Sequence, residues 1–258
     1  MRIIPTLAAN CAGPAEAGCW ASGIASLDAA LGGGLAGGRV HEVYAADADD
    51  APAAAGFAGA VAMGMAGERA AVLWLRPQRA ASRGGIVQAH GWAELGGAAD
   101  RIVIGLVPDT LALLRAAIDA LRGPATGAVI VEGWGALREL DLTASRRLAL
   151  AAEASGVPLL LLRPEARPVP SAARTRWQVA AAPSRALPGN APGHPVFDIT
   201  LLRQRGGPCG LGWRLEWNRD QCAFQEPAPS GAVVSVPVGG SAADRASRPA
   251  DPNHRRIA

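Results

Sequence analysis

Apolar positions along the chain follow two periods in alternation. Short apolar runs, which are typical of buried parallel strands, occupy residues 40–44, 70–75, 101–106, 128–132 and 157–162. Between these runs, apolar residues recur every three or four positions at 53–67, 88–95, 110–121 and 143–155, as on one face of a helix. Strands that alternate with helices in this way indicate βαβ units and a parallel sheet.

The pattern changes beyond residue 162. Seven prolines fall between residues 163 and 195, around a predicted strand at 175–180. Residues 196–202 and 213–217 then alternate on either side of a Gly206-Gly207-Pro208 turn, which predicts an antiparallel hairpin, and residues 221–225 predict a third short strand. The expected fold is therefore α/β, with a mostly parallel central sheet flanked by helices and a C-terminal antiparallel hairpin extension.

The two ends of the chain lack regular apolar spacing. Residues 1–20 are rich in Ala, Gly and Pro, and residues 226–258 are rich in Pro, Ser, Gly, Ala and Arg. We expect a flexible N-terminal arm at 1–20, a core at 21–182, a hairpin extension at 183–225 and a disordered tail at 226–258.

The loop after the first strand of the core is the first candidate site. In α/β folds this loop and the following helix N-terminus commonly hold phosphate. Here the loop contains Ala45, Asp47, Asp49 and Asp50, with no glycine, and all 25 basic residues of the chain are arginine. We expect three carboxylates to repel a nucleotide, so no cofactor is predicted. Binding of a divalent cation is the alternative, although a D-x-D-D run falls short of an EF-hand loop.

Short motifs precede this loop: Ser22-Gly23, Leu27-Asp28, Leu31-Gly32-Gly33-Gly34-Leu35, Gly38-Arg39 and Glu42-Val43-Tyr44. Their order resembles the opening of the core in RecA-like recombinases and in their RadA and KaiC relatives. That resemblance implies a phosphate-binding loop, which is degenerate here, and a Walker B acid at Glu132. The second strand is followed by Arg76 where the family has a catalytic carboxylate nearby, so we interpret Glu132 as a structural residue.

A group of basic residues follows the fifth strand: Arg163, Arg167, Arg174, Arg176 and Arg185, with Trp177 among them. In RecA-like proteins this segment includes a DNA-contacting loop, so the resemblance implies contact with single-stranded DNA or a partner. A solvated loop in an arginine-rich protein is the alternative, because a net charge of +3 is too small to indicate nucleic acid by itself. Trp213 and Trp217 share one face of a predicted strand, which indicates core packing or an exposed aromatic face.

Further motifs lie in the C-terminal half, at residues 171–184, 201–207 and 215–217. With these included, the chain is similar to the ImuA family, which is also grouped with SulA-like SOS proteins. Membership implies a non-catalytic adaptor in damage-induced mutagenesis, or translesion synthesis. Its partners would be ImuB, which is a catalytically dead Y-family polymerase relative, an error-prone replicative-type polymerase, and RecA. A divergent ATPase and an inhibitor of the cell-division GTPase remain alternatives.

Other sequence features bear on metal binding and location. The four cysteines and four histidines show no ligand spacing, so no metal site is predicted. Neither a signal peptide nor an apolar run of about 20 residues is apparent, so we expect a cytoplasmic protein without a membrane segment.

Overall fold

Most predicted elements appear close to their expected positions in the computed structural model, which describes residues 18–67 and 70–227. The strands are β1 (Cys19–Trp20), β2 (Leu35–Ala36), β3 (Val40–Ala45), β4 (Ala71–Pro77), β5 (Ile102–Val107), β6 (Thr126–Glu132), β7 (Leu159–Arg163), β8 (Thr175–Ala182), β9 (Val196–Gln204), β10 (Leu211–Asn218) and β11 (Ala223–Gln225). The helices are α1 (Ala25–Leu31), α2 (Ala51–Ala66), α3 (Ala81–Gly84), α4 (Ala89–Glu94), α5 (Thr110–Leu121) and α6 (Leu142–Ser155).

The central sheet is mixed and has nine strands in the order β11-β10-β9-β8-β3-β7-β6-β4-β5. The strands from β8 to β5 in this order are parallel, and β8, β9, β10 and β11 pair antiparallel. This arrangement confirms the predicted fold class. It also joins the predicted hairpin extension directly to the core, because β9 pairs with β8 along the length of both strands.

Helix α2 lies in the larger of two apolar cores. Its buried residues are almost all small, which lets the sheet and the aromatic side chains of other elements approach it closely. Phe57 is the exception, and its ring packs against the rings of Trp177, Phe197 and Phe224. Trp217, which is fully buried, donates a hydrogen bond from Nε1 to the Leu95 carbonyl at 2.8 Å, so the end of β10 is tied to the segment after α4.

Helices α5 and α6 cover the opposite face of the sheet and form the second core. Each begins at an aspartate that caps it: Asp109 accepts a hydrogen bond from the Ala112 amide at 2.8 Å, and Asp141 accepts one from the Ala144 amide at 2.7 Å. Both helices follow the carboxyl ends of parallel strands, since α5 comes after β5 and α6 comes after β6.

The prediction of a flexible N-terminal arm at residues 1–20 is wrong for its last two residues. Cys19 and Trp20 form β1, which pairs antiparallel with β2 in a separate two-stranded sheet. The glycine run makes this pairing possible: Gly34 has a φ of 124°, and a Cβ there would lie 2.2 Å from the Trp20 carbonyl oxygen. The rest of the predicted arm, residues 1–17, and the predicted tail from residue 228 lie outside the described residues.

Candidate functional site

The carboxyl ends of β3, β4, β6 and β7 meet around a cavity of about 310 Å³. Such an edge is where open α/β sheets usually bind their ligands. The side chains that line it include Asp49 from the loop after β3, Trp74 and Arg76 from β4, Arg83 from α3, Glu132 with Trp134 at the end of β6, and Glu165 after β7. The sequence interpretation had placed only the loop and Glu132 here.

Glu132 is the centre of this cavity's polar network. It is 3% exposed, and its carboxylate accepts three hydrogen bonds. Trp74 Nε1 donates to Oε2 at 2.8 Å, Arg76 Nη2 donates to Oε1 at 2.8 Å, and Trp134 Nε1 donates to Oε1 at 2.6 Å. Arg76 is itself 2% exposed, so the two form a buried ion pair. The carboxylate joins β4, β6 and the following loop, which agrees with a structural role.

The aspartate loop after β3 uses two of its three carboxylates to hold its own shape. Asp47 and Asp50 form a capping box around a short 3-10 turn at Ala48–Asp50. Asp50 Oδ1 also accepts a hydrogen bond from the Ala181 amide at 2.8 Å, which links the loop to β8. Asp49 is exposed and lines the cavity, so a carboxylate faces the space that a phosphate would enter.

Arg163 lies beneath the loop that follows Glu132. It is 3% exposed, its Nε donates to the Gly133 carbonyl at 3.2 Å, and its Nη2 donates to the Gly135 carbonyl at 2.8 Å. Burial lowers the pKa of this guanidinium from its ordinary value. Arg163 therefore fixes the backbone after β6 and does not reach solvent.

The predicted contact set after β7 does not form one surface. The prediction is wrong for Arg163 and for Trp177, because both side chains are buried and Trp177 donates its Nε1 hydrogen to Thr175 Oγ1 at 2.8 Å. Arg176 is paired with the buried Glu42 at 2.7 Å. Arg167 and Arg185 are exposed.

Arg174 lies at the opposite edge of the sheet, in a cavity lined by Arg39, Arg146 and Arg205. This group was not predicted, because its members are far apart in the chain. The only available signal was that Arg39 and Arg174 each immediately precede a parallel strand.

Burial distinguishes the two interpretations of Trp213 and Trp217, which are core packing and an exposed aromatic face. Trp217 is fully buried, and the half-buried Trp213 packs against the Trp177 ring with a centroid distance of 6.2 Å. Both observations agree with core packing.

Among the described residues, no group of three or more His, Cys, Asp or Glu side chains is arranged to hold a metal ion. No helix in the described ranges has the length and apolar character needed to cross a membrane.

Comparison with known proteins gives a structural match without a sequence match. No family model and no curated protein matches the chain. Among solved structures, the chain is similar to the RadB recombinase, with a TM-score of 0.53 and 14% sequence identity over 81% of this chain and all of that one. The fold is RecA-like. At this identity the similarity concerns the fold alone.

Proposed function

We propose that this RecA-like chain is a non-catalytic adaptor in damage-induced mutagenesis. It would link an ImuB-type polymerase relative, an error-prone replicative-type polymerase and RecA during translesion synthesis. The observation that carries the non-catalytic part is the buried Arg76–Glu132 ion pair, in which the carboxylate already accepts three hydrogen bonds. The identity of the partners is supported by the sequence resemblance to ImuA.

The ion pair argues against phosphoryl transfer because of what a metal ion would have to displace. In an active phosphoryl-transfer site, an acid at this position helps to hold magnesium against the phosphates. To do so here, Glu132 would have to leave Arg76 in a site where that guanidinium is only 2% exposed. Stranding one member of a buried ion pair costs about 3 to 5 kcal/mol, which nucleotide binding would have to supply.

The surrounding charges add to this argument. Asp49 faces the same cavity, and repulsion between a carboxylate and a phosphate at about 4 Å is roughly 1 kcal/mol in water and several-fold larger near a protein surface. Arg83 also lines the cavity, but its side chain is paired with Glu165 at 2.9 Å. A protein that keeps the recombinase-like fold without groups that bind nucleotide phosphates and magnesium is best suited to binding other proteins.

The first test is thermal melting with and without millimolar ATP and magnesium. A nucleotide present at 100 times its Kd would raise the free energy of unfolding by about 2.7 kcal/mol, which melting detects easily. The adaptor proposal expects no shift. A shift in the wild type that disappears in Glu132→Gln would overturn it and favour the divergent ATPase.

The second test concerns partners. Purified ImuB-type protein, RecA and the cell-division GTPase are passed separately over the immobilised chain. The proposal expects binding of the ImuB-type protein and of RecA. Binding of the division GTPase without either of these would favour the SulA-like inhibitor instead.

A further inference from the structure

A second surface lies at the amino ends of the parallel strands, opposite the Glu132 cavity. Helix α6 separates two cavities there, one of about 430 Å³ beside the starts of β3 and β8, and one of about 830 Å³ beside the end of α5. Leu150 of α6 lines both cavities, so they are adjacent across the helix. We refer to them together as the α6 groove.

The α6 groove is strongly basic. Six arginines line it: Arg39, Arg122, Arg146, Arg147, Arg174 and Arg205. Among the described residues that line it, Glu153 is the one acidic side chain, and Arg39 pairs with it at 2.9 Å. Within the ranges that the structure describes, no carboxylate or other acceptor contacts the guanidinium groups of Arg146, Arg174 or Arg205. These three cations converge on one cavity without neutralisation, which favours an anionic ligand.

The groove also contains apolar surface in its middle. The Leu150 side chain is 66% exposed, and it lies between the arginines of the two cavities. Ile118 of α5 and Val157, which are half-buried, line the larger cavity beside it. A ligand that covers this groove gains most if it presents an apolar side chain between negative charges.

Nucleic acid fits this surface less well than a protein segment does. Binding of single strands depends on aromatic side chains on which bases stack, and no aromatic residue of the described ranges lines either cavity. A phosphate backbone would also leave Leu150 without an apolar partner. An acidic peptide with leucine-like side chains satisfies both the cations and the apolar centre.

We propose that the α6 groove is a docking site for an acidic protein segment that carries apolar side chains. Its carboxylates would pair with Arg146, Arg174 and Arg205, and an apolar side chain would pack on Leu150. This inference rests on the proposed adaptor function in taking a protein as the occupant. It adds the chemistry of the partner segment and the face of the molecule that the segment contacts.

The test is selection of binders for the full chain from a display library of random twelve-residue peptides. We expect the selected peptides to be enriched in Asp and Glu and to contain Leu, Ile or Phe. Their affinities are then measured by fluorescence anisotropy for the wild type, for Arg146→Glu/Arg205→Glu and for Leu150→Ser. All three substituted side chains are exposed, so the fold should tolerate these changes.

The control is Arg138→Glu, which reverses an exposed arginine in the loop after β6, at the other edge of the sheet. We expect binding to weaken by about tenfold or more in the double reversal and severalfold in Leu150→Ser, with no change in the control. Equal weakening in the control, selected peptides without acidic enrichment, or no selected peptide would overturn the inference. A twelve-nucleotide oligothymidylate is also tested as a competitor of the bound peptide. If it displaces the peptide from the wild type and from Leu150→Ser but not from the double reversal, the inference is overturned in favour of nucleic acid.

Failure of this inference can be distinguished from failure of the adaptor role. If the chain binds the ImuB-type protein or RecA and the double reversal binds them equally well, the adaptor role stands and the docking site lies elsewhere. If peptides dock in the groove but neither protein binds, the groove stands and the assigned partners are wrong.

Discussion

His41 provides a pH-dependent test of the packing between β3 and β8. The imidazole is 1% exposed; Nε2 lies 3.0 Å from the Ala36 carbonyl oxygen and Nδ1 lies 2.8 Å from Thr175 Oγ1. Because Thr175 Oγ1 already accepts the Trp177 Nε1 hydrogen, its own hydroxyl hydrogen is available to His41 Nδ1. The network is complete when His41 is neutral, with Nε2 as the donor and Nδ1 as the acceptor.

The size of the effect follows from the pKa. Burial lowers the pKa of His41 from 6.5 to about 4; the hydrogen bond with Ala36 opposes this change, and the charges of Arg174 and Arg39 add to it. Between these two pH values the unfolded chain binds a proton that the folded chain does not. Stability is therefore fully present above pH 6.5 and falls as the pH drops towards 4. At about 1.36 kcal/mol for each unit of pKa, the loss attributable to His41 is about 2.5 kcal/mol by pH 4.5.

The assay is urea unfolding at half-unit steps from pH 7.5 to 4.5 for the wild type and His41→Gln. Glutamine removes the titration and keeps an amide donor, so subtracting its profile removes the contribution of the carboxylates. We expect the stability advantage of the wild type over His41→Gln to shrink by about 2.5 kcal/mol across this range.

His90→Gln is the control, since the His90 side chain is 84% exposed and takes no part in the buried network. We expect its profile to follow the wild type closely. If the difference between wild type and His41→Gln is constant with pH, His41 is not a buried neutral base, and the explanation of the network is wrong.

Two further predictions concern stability. Glu132→Gln should lower the free energy of unfolding by about 3 kcal/mol, because it leaves Arg76 charged and buried. Asp49→Asn in the same cavity should change the free energy of unfolding by less than about 0.5 kcal/mol. Urea unfolding at pH 7.5 measures both, and equal effects would contradict the buried-pair argument. Gly34→Ala should lower the free energy of unfolding by more than about 2 kcal/mol, because the new Cβ would lie 2.2 Å from the Trp20 carbonyl oxygen at a positive φ. Gly91→Ala, at an open position in α4, should be neutral or stabilising. A mild effect at Gly34 would show that β1 and β2 separate readily.

The positions of the strands and helices were predictable because they depend on local pattern. The apolar runs at 40–44, 128–132 and 157–162 correspond to β3, β6 and β7, which are neighbours in the centre of the sheet and buried on both faces. The turn at Gly206-Gly207 between alternating segments likewise predicted the pairing of β9 with β10. The absence of a lysine for a phosphate loop was also visible without any structure.

The fate of charged and polar side chains was much less predictable. A run of arginines in sequence indicates solvent, yet Arg163 is buried because the carbonyls of Gly133 and Gly135 are brought to it by the pairing of β6 with β7. Trp74, Arg76 and Trp134 were not predicted as partners of Glu132, although Trp74 and Arg76 share one face of β4 at a spacing of two.

The sequence by itself determined the fold class and the composition of the loop after β3, because apolar period and residue identity are properties of neighbours in the chain. The tertiary structure alone decided which ionisable groups are paired. Arg39, Arg146, Arg174 and Arg205 are separated by up to 166 positions and meet only because two parallel strands start, and one antiparallel strand ends, beside α6. Strand order and crossover connections determine which charged side chains become neighbours, and these are set by the packing of the whole chain.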